Sequence, residues 1–226
     1  MTRTFELGLR GEIPRRLRWS ATTFWMRNAD DILFVSTGGA TSNEGFFDNV
    51  ADTRRTGLEL ALDGELGALA WRLDYSYLQA EFLDSFAAPS AHHPDADAAG
   101  EIHVERGDRI PGIPRHILKG ALDLALGPSF RLGADLVFDS EQYLRGDEAN
   151  LLHPVDSFAC VGLHAEWRVV PHLRLHVRID NVFNSDYESF GTLGDAAQVL
   201  GAAASDPRFL SPGAPRAIWG GAELEF

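Results

Sequence analysis

An all-β, antiparallel architecture is what this sequence predicts, and three observations carry the prediction. Apolar and polar residues alternate with period two through segment after segment, the mark of a strand with one apolar face. The connections between those segments are short and long in turn. No run approaches the roughly 18 consecutive apolar residues of a membrane-crossing helix, so any membrane would have to be crossed by strands.

The segments follow in order. Phe5, Leu7 and Leu9 share one face, with Glu6, Gly8 and Arg10 opposite. Leu17, Trp19, Ala21, Thr23 and Trp25 alternate with Arg18, Ser20, Thr22 and Phe24. Thr56, Leu58, Leu60 and Leu62 form the third apolar set, and Leu69, Trp71, Leu73, Tyr75 and Tyr77 the fourth. His116, Leu118, Gly120, Leu122, Leu124 and Leu126 oppose Lys119, Ala121 and Asp123; Phe130, Leu132, Ala134, Leu136 and Phe138 oppose Arg131, Gly133 and Asp135. Ala159, Val161, Leu163, Ala165 and Trp167, then Leu173, Leu175, Val177 and Ile179, continue the scheme, and Ile218 to Phe226 closes it. That makes about nine strands.

Tight turns are expected at 11–16, 63–67, 127–129 and 168–172, and long Gly/Pro-rich loops at about 36–51, 81–114, 144–155 and 187–215. Tight turns at one end and long loops at the other are the layout of outer-membrane β-barrels, with short periplasmic turns and long extracellular loops. The last strand then runs toward the periplasm, and so does the first. An odd number of strands that starts outside is not a complete bacterial barrel, and the start MTRTFELGLRGEIPRR has no apolar signal-peptide core. The expectation is therefore a fragment that lacks upstream strands.

Composition excludes several functions. A net charge of -13 argues against a nucleic-acid surface. Cys160 is the only cysteine, so there is no intrachain disulfide and no CxxC motif. No G-x-S-x-G elbow, P-loop or HExxH is present, and no enzyme is expected. Trp19, Trp71 and Trp167 near tight turns, and Trp25, Tyr75 and Tyr77 near long loops, suit interfacial girdles against outer-membrane lipid. The alternative is a set of core aromatics in a soluble sandwich; midstrand charges on the opposite face suit a water-filled lumen, though a sandwich would place the same charges on its outer surface.

Four stretches carry a family resemblance. Residues 49–59, N-V-A-D-T-R-R-T-G-L-E, precede and open one strand; residues 107–116, G-D-R-I-P-G-I-P-R-H, lead into another. Residues 178–187, R-I-D-N-V-F-N-S-D-Y, lie near the penultimate strand, and Pro212, Pro215 and Arg216 precede the last strand with its aromatic end, Phe226. In this order they resemble the barrel of TonB-dependent outer-membrane receptors.

The resemblance implies the last nine strands of a 22-stranded barrel, with the plug domain absent from residues 1–226. It implies a Gram-negative outer-membrane protein that imports a scarce nutrient, most commonly a ferric siderophore, with energy from the TonB complex through the missing N-terminal region. The alternative is a non-transporting outer-membrane barrel with a binding or structural role, or a truncated remnant. The resemblance also makes Phe226 the signal read by the barrel-assembly machinery. No cofactor and no resident metal are expected.

Ligand contact in such barrels comes from outer loops. Arg106, Asp108, Arg109, Tyr143, Arg145, Asp147 and Glu148 are the candidates, since arginine can grip anions through two hydrogen bonds. Solvated loop charges that pair with one another are the competing and favoured reading. His92, His93, Asp95 and Asp97 share the longest loop, but nothing in their spacing fixes a metal geometry.

Overall fold

The computed structural model describes residues 1–14, 16–36 and 45–225. Nine strands form one antiparallel sheet: β1 (Thr2–Ile13), β2 (Leu17–Ser36), β3 (Gly45–Leu66), β4 (Leu69–Phe82), β7 (His116–Leu126), β8 (Phe130–Asp139), β9 (Phe158–Val170), β10 (Leu173–Asp180) and β13 (Ala217–Leu224), paired in that order. Two hairpins stand apart within the long connections, β5 (Phe86–Pro89) with β6 (Glu101–Val104), and β11 (Glu188–Leu193) with β12 (Arg208–Pro212). A single turn of helix, α1 (Ala196–Leu200), is N-capped by Asp195, whose side chain accepts from Gln198 N. The sheet is an only partly closed barrel wall with β1 and β13 at its edges.

Each alternating segment of the sequence lies in one of the nine sheet strands. The register confirms the shared face: Trp19 stands opposite Leu62, Leu62 opposite Leu73, Trp71 opposite Leu122 and Trp167 opposite Leu175. Directly opposed residues of an antiparallel pair point to the same side, so these side chains form one continuous apolar surface. Two of the tight turns use backbone that only glycine adopts easily. Gly67 and Gly127 hold φ of 63° and 74° between their paired strands.

Two of the sequence-based boundaries shift. Residues 45–50 of the expected loop 36–51 are strand, paired with Ile32 and its neighbours, so β2 and β3 reach 20 and 22 residues. A membrane crossing uses about 9–11 residues of a tilted strand, so this pair rises well past that length. The alternation stops there, and with it the signal that would have marked the strand. Residues 37–44 lie outside the described part. The long connections at 81–114 and 187–215 are likewise not plain loops, since each carries a hairpin.

Burial is inverted relative to a soluble sheet protein. The apolar face lies open, with Phe5, Leu7 and Leu9 at 70%, 68% and 64% exposure and Leu122, Leu126 and Trp167 near half. The buried hydrophobic residues gather instead at the long-loop end, around Phe82, Ile102, Val104 and Ile110 and around Leu144, Val155 and Leu193. An apolar surface this large is not left to water by a soluble monomer. No helix among the described residues is long and apolar enough to cross a membrane.

Candidate functional site

The long-loop end is built by backbone pairing between distant segments. Gln142 and Val155 exchange backbone bonds of 3.2 and 2.8 Å and close the 140–157 connection on itself. Arg145 then pairs with β11, its N–H donating to Gly191 O at 3.0 Å while Leu193 N–H donates to Arg145 O at 2.9 Å. Gly112 N–H donates to Tyr143 O at 2.9 Å and joins the G-D-R-I-P-G-I-P segment to the same connection. The β5–β6 hairpin docks from the other side through Ser90 Oγ, which donates to Gly146 O at 2.6 Å.

These contacts enclose a cleft of about 700 Å3. Its walls include Phe47, Phe86 and Phe190, with Arg145 and Glu148 as charged groups and Ser90 at the hairpin. The Arg145 guanidinium lies over the Phe190 ring, 5.3 Å from its centre. That contact fixes the side chain by cation–π attraction while leaving the N–H donors available. A cleft of this size with mostly apolar walls and few charged groups has the make-up of a small-molecule site.

Of the seven candidate residues read from the sequence, Arg145 and Glu148 line this cleft. The others lie elsewhere. Asp108 closes its own turn, accepting Glu105 N–H at 2.7 Å on its carboxylate, and Arg106 is an exposed neighbour whose N–H donates to Ser85 Oγ. Arg109 is largely buried. Its guanidinium sits 5.2 Å from the centre of the Tyr143 ring and donates weakly to Glu141 at 3.4 Å. Burial, and then the nearby Arg115 charge, pull Arg109 below its ordinary value, while Glu141 works against both. The Asn150 side chain clamps the Arg109 backbone, accepting its N–H at 2.6 Å and donating to its carbonyl at 3.0 Å.

Asp147 is the most enclosed of the set, with no exposed surface. Its carboxylate accepts Leu151 N–H at 2.8 Å and Leu152 N–H at 3.0 Å, and it meets His93 Nε2 at 3.1 Å. Burial still pushes its carboxyl up, against the pull of those three donors. Burial pushes the neighbouring Glu148 carboxyl up as well, and the Asp147 charge adds to it.

The His92, His93, Asp95, Asp97 stretch folds as the tip of the β5–β6 hairpin. His93 uses both ring nitrogens, since Asp95 N–H donates to Nδ1 at 3.0 Å. Asp97 accepts the N–H groups of Ala99 and Glu101. No group of three or more metal-binding side chains comes together among the described residues. This buried pairing joins residues 54 apart, and no local pattern in the sequence marks it.

The six aromatics read as girdle residues stand on the apolar face. Tyr75 Oη lies 2.8 Å from His116 Nδ1, and Tyr77 packs on the same imidazole at 5.2 Å between ring centres. Phe226 lies outside the described residues. Cys160 is on the polar face, a free thiol beside Tyr187.

A family model described as TonB-dependent receptor-like β-barrel matches residues 1–182. The chain is similar in structure to the siderophore receptor PiuA from Acinetobacter baumannii, with a TM-score of 0.73 at 17% identity over 98% of this chain and 28% of that one. It is similar to the ferric yersiniabactin uptake receptor FyuA from Yersinia pestis, with a TM-score of 0.71 at 17% identity over 100% of this chain and 30% of that one. The copper transporter OprC gives 0.69 at 20% identity over 100% of this chain and 31% of that one. The chain thus spans less than a third of the length of these receptors. No curated protein matches it.

Proposed function

The chain belongs to the TonB-dependent receptor-like β-barrel family, and on that premise we propose that it forms part of the wall and outer mouth of an outer-membrane import receptor. The observation that carries this reading is the inverted burial: an open apolar face on the sheet, and a packed, cleft-bearing cap at the long-loop end. The apolar face meets lipid, with Trp19, Trp71 and Trp167 at one interface and Trp25, Tyr75 and Tyr77 at the other. The opposite face lines a polar lumen, where Arg18 pairs with Asp63 and Arg72 with Asp74, both at 2.6 Å.

The ligand is a small anionic chelate with an apolar or aromatic part, a ferric siderophore being the leading case. Phe47, Phe86 and Phe190 supply the apolar walls and Arg145 the anion-binding group. In this reading transport draws on the TonB complex, whose contacts lie outside these residues, and the wall has no covalent chemistry to perform.

The test has two parts. Cells deleted for the gene are grown on a panel of iron sources, and the source whose use is lost names the ligand. Binding of that chelate is then measured for Arg145→Ala. Loss of one hydrogen bond to a charged group is worth about 1.5–3 kcal/mol, so the dissociation constant should rise at least about tenfold. If growth is unchanged on every source, the chain is a non-transporting barrel and the import reading fails.

A further inference from the structure

Arginine reaches the apolar face of the sheet in one place. In the nine wall strands Arg18, Arg72, Lys119, Arg131 and Arg178 alternate onto the polar face, as do the other arginines of these strands except Arg3, Arg27 and Arg54. Those stand in a single row across β1, β2 and β3, since Arg3 is register partner to Arg27 and Arg27 to Arg54. Directly opposed residues point to the same side. Two residues inward on each strand, Phe5, Trp25 and Thr56 form the next row of that face, with the Phe5 and Trp25 rings 5.8 Å apart between centres. Two residues of strand span about 7 Å, so the arginines lie one step outside the aromatic level at the long-loop end.

Like charges set directly opposite one another repel, and the fold offsets only part of this. Asp52 Oδ2 accepts from Arg27 Nε at 3.2 Å and from its terminal nitrogen at 2.7 Å. Glu81 accepts from Arg54, while Arg3 has no ion pair and no side-chain hydrogen bond among the described residues. The carboxylates are set behind the cations. The Asp52 and Glu81 side chains are 19% and 9% exposed, against 51% and 40% for Arg27 and Arg54. The other nearby acids are engaged elsewhere: Asp84 accepts the Asp52 N–H, and Asp31 accepts from Thr53 and Arg55. The row thus presents a cationic surface in a chain of net charge -13. A guanidinium carries five N–H donors, so donors are left over on each arginine. Neighbouring strands lie about 4.8 Å apart, which lets one phosphate group accept from two of these side chains.

We propose that Arg3, Arg27 and Arg54 form a binding row for the phosphate groups of anionic lipids in the leaflet at the long-loop end. This requires the apolar face to meet lipid, as in the reading above. Acyl chains then lie against Phe5, Leu7, Leu9 and Trp25, and the headgroup of the same lipid falls one row further out, on the arginines. Arginine suits the task because its planar fork binds phosphate through two bonds and stays charged. An anionic lipid fits better than a free small anion, which has nothing to set against the apolar surface that adjoins the charge.

Tryptophan fluorescence of the full chain in detergent micelles separates the two claims. Brominated phosphatidylcholine added to the micelles should quench the tryptophans of the apolar face. Brominated phosphatidic acid should quench with about fivefold higher affinity, the factor expected for one unopposed arginine charge at an anionic lipid surface. Arg3→Gln, which breaks no bond seen in the structure, should shrink that preference with the strand circular dichroism unchanged, and Arg3→Gln combined with Arg27→Gln and Arg54→Gln should erase it. Arg18→Gln combined with Arg72→Gln, on the polar face, should keep it. Equal quenching by both lipids in the unaltered chain overturns the proposal and leaves the lipid-facing reading standing, as does a preference that survives in both the single and the triple variant. Quenching by neither lipid overturns the lipid-facing reading and the proposal with it.

Discussion

His164 Nε2 lies 3.0 Å from Asp123 Oδ1 although the two residues stand two strands apart. Between them, on β8, is Gly133, which is register partner to both. The imidazole passes over this glycine, and its other nitrogen meets Asp135 at 3.2 Å. A Cβ at residue 133 would overlap the ring. Three neighbouring strands are thus tied by one side chain, an aromatic ring covering a glycine in the next strand as in other strongly curved sheets. Gly133→Val should displace His164 and break both contacts. The side chains are partly exposed, so the ties themselves are worth about 1 kcal/mol or less each. The expected outcome is a measurable fall in the thermal midpoint of the strand circular dichroism in detergent. His164→Gln combined with Gly133→Val should add little to it, since the ring is already out of place.

Asn181 holds the outer ends of β10 and β13 together. Its side chain donates to Ser185 O at 2.9 Å and to Ala214 O at 3.0 Å, and accepts Ser185 N–H at 3.0 Å. The residue is 2% exposed and its φ is 49°, a left-handed conformation that asparagine tolerates better than most. Asn181→Ala removes three hydrogen bonds to backbone groups of the exposed residues Ser185 and Ala214, where water can replace it, and should cost about 0.5–1.5 kcal/mol for each bond. Proteolysis between residues 185 and 215 should accelerate accordingly, and Asn181→Asp, which restores only the accepting role, should recover part of the loss.

The nine wall strands were legible because a one-sided sheet enforces period two wherever one face is apolar, and sets such as Leu118, Leu122 and Leu124 obey it. The rule lapses where apolar residues run consecutively instead of alternating. At Asp30, Asp31 and Ile32 the β2–β3 pairing shifts register, and beyond it the sequence has the unbroken runs 32–35 and 46–47, so the outer third of these strands reads as loop. Hairpin β5–β6 is too short to show a period, and it owes its place to Ile102 and Val104 packing near Phe82, a contact between segments distant in sequence. The candidate site was half legible for a related reason. An aspartate that caps backbone N–H groups, such as Asp108 or Asp147, has the same composition and loop context as one that meets a ligand. Only the fold brings Arg145 onto Phe190 and leaves Arg106 in solvent.

Phe82 anchors the cap. It has no exposed surface, packs edge-on against Phe86 at 5.2 Å between ring centres, and its backbone pairs with Gly107 and Asp108. Phe82→Ala should cost about 3–5 kcal/mol, spent within the cap because the sheet below is held by its own ladders. Trypsin should then cut at Arg106 and Arg109 in the folded chain, while the strand circular dichroism in detergent persists. Equal loss of both properties would mean that cap and wall fold as one unit.

Asp206 gives a titration that can be followed residue by residue. Its Oδ1 accepts Arg208 N–H at 3.1 Å and Nε–H at 3.0 Å, and its Oδ2 accepts from the terminal nitrogen at 2.8 Å. The Arg208 side chain first, and its backbone N–H second, hold the carboxyl down from 3.8 to about 2. A depressed carboxylate contributes stability that is complete above the unfolded value and is lost as pH falls through the folded one. The 195–208 segment should therefore keep its order down to about pH 2 as far as this pair is concerned. The carboxyl carbon shift of Asp206, followed by NMR, should show its midpoint there. Arg208→Gln removes the larger cause and leaves the backbone donor, so the midpoint should rise part of the way toward 3.8. A midpoint that does not move in this variant would show that the backbone N–H alone holds the carboxylate down.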